Sequence, residues 1–267
     1  MTGVASAAAA NGRVLLGVFA HPDDESLACG GLLARCASLG VVTTLLCLTR
    51  GEAGPGVEPH HADETAARRR LGALRTRELD AAARVLGLGD VVVLDHEDGM
   101  LPWLAPEVLE ADIRAAIERL RPDAVVTFGA DGLYWHPDHV AVHERTTAVV
   151  TALGAAAPAL YYVTLPPGQM RAVGEHAAVV GGVVPGLDDL DAFGALAAPP
   201  TVVIDAGPFA ERKLAALMCH RSQMADSPIA RIAARDAGRL LGTEHFRRAA
   251  VGATTRCFLD ALGAAAD

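Results

Sequence analysis

Two short segments hold most of the reactive side chains in this sequence. Ala20-His21-Pro22-Asp23-Asp24-Glu25 sets three consecutive acids beside an imidazole, directly after an apolar run. Pro22 accounts for a turn, and one aspartate can cap a following helix. Neither needs His21 or two further carboxylates. Like charges this close repel and must be compensated. A divalent cation provides that compensation, and an imidazole–carboxylate donor set suits zinc. The second segment is Tyr134-Trp135-His136-Pro137-Asp138-His139, with His143 one helical turn later. His139 and His143 share a helix face by their spacing. HxxxH without a Glu after the first His is a weak motif, however, and His143 runs into Glu144 and Arg145, so it is read as structural. A catalytic zinc needs three protein ligands and an open position, where water is acidified and a carbonyl polarised. A nearby carboxylate then serves as base and a histidine steadies the oxyanion. The two segments supply all of these parts.

The elements around them predict an α/β fold. Apolar runs at Val14–Phe19, Val41–Leu48, Val91–Leu94, Ala124–Phe128 and Leu160–Val163 read as buried strands. Helical periodicity fills Leu27–Leu39, Ala62–Leu86, Pro106–Leu120 and the stretch from the HPDH segment to Leu153, with Gly87 and Gly89 ending the second of these. Strand–helix alternation implies right-handed crossovers and a Rossmann-like, mostly parallel sheet flanked by helices. Such sheets bind ligands at the carboxyl ends of their strands, where both reactive segments fall. Beyond the core at about residues 13–165, the part from 166 to 267 is variable. Gly168–Pro200 is rich in Gly, Pro and Ala, Val202–Ile204 reads as a strand and Phe209–Met224 as a helix. One domain over 1–267 is expected.

Composition narrows the function. A net charge of -9 argues against a nucleic-acid binder. Arg68, Arg69 and Arg70, with Arg75 and Arg77, form the one dense basic cluster, and the first three read as a solvated helix face. Five cysteines, an odd number without a CxxC, imply no disulfide framework and a reducing compartment. Met1–Gly12 has no positively charged leader region, and no apolar stretch is long enough to span a membrane. A cytoplasmic location follows as an expectation.

The pairing of AHPDDE after the first strand with HPDH after a later one resembles the LmbE-like, or PIG-L, family of zinc-dependent de-N-acetylases. The resemblance implies zinc-dependent hydrolysis of the N-acyl, chiefly N-acetyl, amide of an amino sugar or glucosaminide. It makes His21, Asp24 and His139 the zinc ligands, with Fe2+ and other divalent metals left open. It makes Asp23 the general base, and His136 a stabiliser of the tetrahedral intermediate with Asp138 to orient it. Tyr134 matches a tyrosine that closes over the site. Arg75, in the Arg-x-x-Glu-Leu pattern of Arg75–Leu79, is implied to bind sugar, as are Glu52 of the Arg50-Gly51-Glu52 turn and Asp98. A small-molecule amino sugar is the implied partner, and self-association is left open.

Some residues depart from that pattern. Trp135 is bulkier than expected before His136, so the pocket mouth is expected to differ. His220-Arg221-Ser222-Gln223 resembles a segment of some members, and reads equally as a polar helix end. Three other readings compete. A larger-amide amidase, such as one acting on mycothiol S-conjugates, would use the same metal chemistry. A nucleotide-binding module would need a GxGxxG or a GxxxxGK[ST], and neither is present; Gly30-Gly31 reads as close helix packing instead. A structural zinc protein would need a fourth ligand, for which His143 or Glu25 is the candidate.

Overall fold

The structure, a computed structural model, describes residues 10–55, 57, 63–179, 198–224 and 227–265. Most of Met1–Gly12 and of Gly168–Pro200, and residue 62 at the expected start of the long helix, lie outside the described residues. One sheet of eight strands runs through the molecule in the order β3-β2-β1-β4-β5-β7-β6-β8. Its strands are β1 (Val14–Phe19), β2 (Val42–Thr49), β3 (Asp90–His96), β4 (Ala124–Phe128), β5 (Ala159–Thr164), β6 (Val202–Asp205), β7 (Thr243–Gly252) and β8 (Ala264–Ala265). The first five pair in parallel. β7 lies antiparallel to both β5 and β6, and β8 antiparallel to β6. The expected doubly wound parallel core is therefore present, and it is extended by an antiparallel edge built from the C-terminal third.

β1, β2 and β4 are almost wholly buried, as apolar runs covered on both faces must be. The long crossovers are helices α1 (Asp24–Ser38), α2 (Glu64–Leu86), α3 (Pro106–Leu120) and α4 (Pro137–Leu153). Pro106 and Pro137 sit in the first turn, where a missing N–H costs nothing. Gly87, at φ 81, closes α2 in the left-handed conformation that glycine adopts without penalty. Among the described residues, further helices longer than one turn are α5 (Gln169–Val179), α6 (Ala210–Leu217), α7 (Ala234–Leu241) and α8 (Phe258–Leu262). α6 packs on α1 and α2, while α3 packs on α4.

Phe209–Met224, read from sequence as one helix, is two: α6 and the short turn Arg221–Met224, separated at Cys219-His220. Helix α1 starts at Asp24 rather than Leu27 and is broken at Cys29 (φ -148, ψ 23). Just past the break, the N–H groups of Gly31 and Leu32 are bound from outside the helix. Glu244 of β7 accepts both, at 2.8 and 2.7 Å, and Lys213 of α6 neutralises it at 2.7 Å. A Cβ on Gly31 would stand 2.4 Å from the Cβ of Ala206, so the close packing inferred for Gly30-Gly31 holds at Gly31. All five cysteines are free thiols.

Candidate active site

Strand order reverses about β1: the chain runs outward through β2 and β3, then returns to place β4 on its other side. A crevice therefore opens between the carboxyl ends of β1 and β4. Phe19 and Phe128 end those strands and meet edge to face at 5.0 Å, and Phe128 stacks on the imidazole of His139 at 3.9 Å. This apolar floor keeps the local dielectric low, which strengthens charge interactions above it.

Three side chains converge on that floor. His21 Nδ1 lies 3.2 Å from His139 Nε2, and Asp24 lies 3.3 Å from the former through Oδ2 and 3.2 Å from the latter through Oδ1. The far nitrogen of each ring is already engaged. His139 Nδ1 donates to the Gly132 carbonyl at 3.0 Å. His21 Nε2 faces Asp98 Oδ1 at 3.0 Å and Asp138 Oδ2 at 3.1 Å. The near nitrogen of each ring therefore faces the other, beside a carboxylate. A proton on His21 bridges this set in the free protein, and a divalent metal that takes both imidazoles as neutral donors together with the carboxylate also fits it. Burial disfavours the His21 cation, yet its hydrogen bonds to Asp138, Asp24 and Asp98 outweigh this and raise its pKa well above the ordinary value. Burial likewise raises Asp24, and the charge and hydrogen bonds of His139 and His21 more than reverse it. His136 brings a ring nitrogen within 4.8 Å of those of His21 and His139.

Asp23 stands beside this set. Burial pushes its carboxyl up to about 6, with Asp24 adding to the rise and Arg75 holding it down. His136 Nδ1 accepts from the Asp138 amide at 3.3 Å and so caps α4. That contact fixes a tautomer whose Nε2–H is free to donate. Burial, with His21 and His139 nearby, pushes His136 down to about 4, so the ring is neutral at pH 7. Tyr134 lies over His139, ring centroids 5.2 Å apart, and is 45% exposed. Its phenol is raised by burial and by Asp24 and Asp23, which keeps it protonated. The segment bends sharply here, with positive φ at Gly132, Leu133 and Trp135, and Trp135 is turned outward.

Four residues occupy other places than the sequence suggests. Asp138 is fully buried and points at His21, not His136, while accepting from the amides of Gly99 at 2.8 Å and Leu101 at 3.2 Å. It orients a candidate metal ligand. Arg75 is 4% exposed and faces inward. Its guanidinium donates to the carbonyls of Gly51 at 2.7 Å and Pro22 at 2.6 Å, and to Asp23 Oδ2 at 3.1 Å. A Cβ on Gly51, at φ +65, would lie 2.3 Å from Arg75 Nη1, so the Arg50-Gly51-Glu52 turn needs its glycine to admit the arginine. Glu52 accepts from the Asp98 amide at 2.9 Å, and Asp98 accepts from the Ala53 amide at 2.8 Å. Burial alone would raise Asp98; its bond to His21 outweighs this and holds it below the ordinary range. Arg75, Glu52 and Asp98, read from sequence as sugar contacts, build the wall beside His21, the candidate metal ligand.

The fourth-ligand candidates point elsewhere. His143 Nδ1 donates to the Phe128 carbonyl at 3.0 Å, and its ring tilts on Tyr162 at 4.6 Å. Glu25 is fully buried and faces His220 at 3.0 Å. Neither His143 nor Glu25 therefore joins the convergence, and His136 is the further imidazole beside it. The Glu25–His220 contact was not legible in sequence, although both of its motifs were.

Residues 16–150 match the family described as GlcNAc-PI de-N-acetylase (PIG-L). The 1D-myo-inositol 2-acetamido-2-deoxy-alpha-D-glucopyranoside deacetylase of Acidothermus cellulolyticus is 32% identical, over 88% of this chain and 88% of its own. A second enzyme of that name in Catenulispora acidiphila is 34% identical, over 88% and 87%. The chain belongs to the PIG-L family. It is accordingly an amide hydrolase. Among solved structures, the N,N'-diacetylchitobiose deacetylase of Pyrococcus horikoshii superposes with a TM-score of 0.61 at 21% identity, covering 89% of this chain and 84% of that one. GalB of Pseudomonas putida, a 4-carboxy-2-hydroxymuconate hydratase, also reaches 0.61, at 20% identity over 91% and 99%. One fold thus serves a deacetylase and a hydratase, and the likeness to these solved structures shows the fold alone. Among the described residues no helix is long and apolar enough to cross a membrane.

Proposed function

We propose that this PIG-L protein is a zinc-dependent deacetylase of an N-acetylglucosaminide, with a hydroxyl-rich aglycone such as an inositol. The observation that carries the reading is the convergence of His21 Nδ1, Asp24 and His139 Nε2 within 3.3 Å, with Asp23 alongside. His21, Asp24 and His139 would hold the cation. When bound, zinc supplies Lewis-acid polarisation of the amide carbonyl and acidifies water. Asp23 takes the proton of the attacking water on its carboxylate and returns it to the amide nitrogen as the C–N bond breaks. The Nε2–H of His136 donates to the oxygen on which charge develops, and Tyr134 covers the reacting carbon. Acetate and the free amine leave.

Two spaces support the assignment of each end of the substrate. An enclosed apolar cavity of about 90 Å³, lined by Leu27, Leu133, Tyr134, Met170, Ile229 and Leu240, adjoins Tyr134 and admits a short acyl group. An open cavity of about 680 Å³ lies on the other side of Glu52, with Arg50, Arg68, Arg69, Asp95 and Glu97 in its wall. Arginines and carboxylates together suit a polyol, which both donates and accepts hydrogen bonds. The C-terminal third would shape the acyl side.

The test is a panel assay on the zinc-loaded protein. N-acetylglucosaminyl-inositol, free N-acetylglucosamine and a bulky thiol-conjugate amide are incubated separately, with acetate and free amine read by mass spectrometry. Acetate release, fastest from the inositol conjugate, is expected. Cleavage of the thiol conjugate alone would replace this reading with that of a larger-amide amidase.

A further inference from the structure

Asp23 has φ 115 and ψ -26, a conformation that costs a residue with a side chain about 1–3 kcal/mol and persists only where its surroundings impose it. Arg75 imposes it from one side, through the Pro22 carbonyl and the Asp23 carboxylate. From the other side the Asp23 amide donates to Glu25 Oε2 at 3.1 Å. Glu25 is itself inside the protein, with no solvent to satisfy it. Its second oxygen, Oε1, accepts from Ser26 Oγ and from His220 Nε2, the latter at 3.0 Å. Nδ1 of His220 is buried without a hydrogen-bond partner, so Nε2 makes the ring's hydrogen bonds.

We propose that His220 is a positioning residue for the reaction: by fixing Glu25 it holds the peptide of Asp23 in the conformation that aims the base. The proposal rests on the reading of Asp23 as base given above. The hydrogen-bond contacts of the His220 ring are with Glu25 and Ser26, and its hydrogen-bond route to Asp23 runs through Glu25. Its own place is set from the long helix that carries Arg75. Glu78, one turn along α2, accepts from the Ser222 amide at 2.9 Å and from Ser222 Oγ at 2.6 Å. The His220 carbonyl in turn accepts from the amides of Gln223 at 3.0 Å and Met224 at 2.9 Å, closing the short turn. Helix α2 thus reaches Asp23 twice, directly through Arg75 and indirectly through Glu78, Ser222, His220 and Glu25. The break in the helix predicted for Phe209–Met224 is what turns His220 inward. Without the Nε2–H donor, Glu25 Oε1 keeps only Ser26 as a side-chain partner and the buried carboxylate must shift to find another. That shift loosens its hold on the Asp23 amide, and the peptide relaxes toward negative φ with its carboxylate displaced.

Three variants separate positioning from simple packing. His220→Gln keeps an N–H donor near the Nε2 position. His220→Asn is polar but too short to reach Glu25, and His220→Phe keeps bulk without a donor. Each is assayed for zinc content, thermal unfolding, kcat and KM, and for hydrogen–deuterium exchange of the peptide over residues 20–27. In the Phe and Asn variants kcat should fall about 10–100-fold, the scale of a misplaced catalytic group, with KM and zinc content unchanged and exchange at Asp23 faster. His220→Gln should recover most of kcat and the slow exchange. In a Glu25→Gln background, His220→Phe should add little. Folded Phe and Asn variants with wild-type kcat and exchange would overturn the proposal, as would a Gln variant as impaired as Phe. If the wild-type protein releases no acetate, the proposed reaction fails, while the exchange comparison still decides the link from His220 to Asp23.

Discussion

Two groups of buried charge along one sheet are balanced in opposite ways. At the antiparallel edge, the Glu244 carboxylate is shared among Lys213 and the amides of Gly31 and Leu32. Every charge there is met by the chain itself. At the crevice between β1 and β4, one nitrogen of each of two imidazoles and the Asp24 carboxylate meet within 3.3 Å, and the far nitrogens are already engaged. These donors form a candidate site that a divalent cation would complete. Burial alone therefore does not separate a structural ion pair from a site. What separates them is whether the hydrogen-bond and charge balance closes within the chain.

The contrast breaks at its centre if His139 is dispensable. His139→Ala removes one of three donors, so zinc content should fall far below one per chain and turnover below detection, as metal analysis and the acetate assay would show. Full zinc occupancy would mean that His136 or another group completes the set. A smaller effect is expected at Arg75, which belongs to both descriptions because it is buried structurally and yet touches the base. Arg75→Ala leaves two carbonyls and the Asp23 carboxylate without their donor. Turnover should drop about a hundredfold, with KM nearly unchanged, zinc retained and stability lowered. A rise in KM with kcat intact would restore the sugar-contact role inferred from sequence. The smallest effect on catalysis belongs to the edge. Lys213→Met strands the Glu244 carboxylate and should cost about 3–5 kcal/mol in denaturant unfolding. Turnover per folded molecule should fall less than in the Arg75 variant, although Lys213 also lines the cavity beside Tyr134. A variant as stable as wild type would show that the two amides alone satisfy Glu244.

The same division governs what could be read from sequence. Apolar runs located β1, β2 and β4 because strands covered on both faces leave no other option. Pro106, Gly87 and Pro137 punctuated the helices through local backbone chemistry. β7 was missed because Thr243–Gly252 carries Glu244, Arg247 and Arg248, and its place depends on partners such as Lys213 from a distant segment. The residue types of the crevice were legible, since acids crowded beside histidines have few structural uses. The partners of those residues were not. Arg75, Glu52 and Asp98 sit near the crevice, as their motifs imply, but a motif does not say whether a side chain turns to ligand or inward. The pairing of Asp138 with His21 spans 117 positions, which no local pattern reveals.

The central claim is a division of labour between adjacent carboxylates: Asp24 binds the metal and Asp23 moves the proton. The most direct measurement compares Asp23→Asn and Asp24→Asn side by side for zinc content and acetate release. The account predicts that Asp23→Asn keeps its zinc while losing about a hundredfold or more in turnover, the scale of a lost general base. Asp24→Asn should lose the metal and the activity together. Near-normal turnover in Asp23→Asn, or equal loss of zinc in both variants, would contradict it.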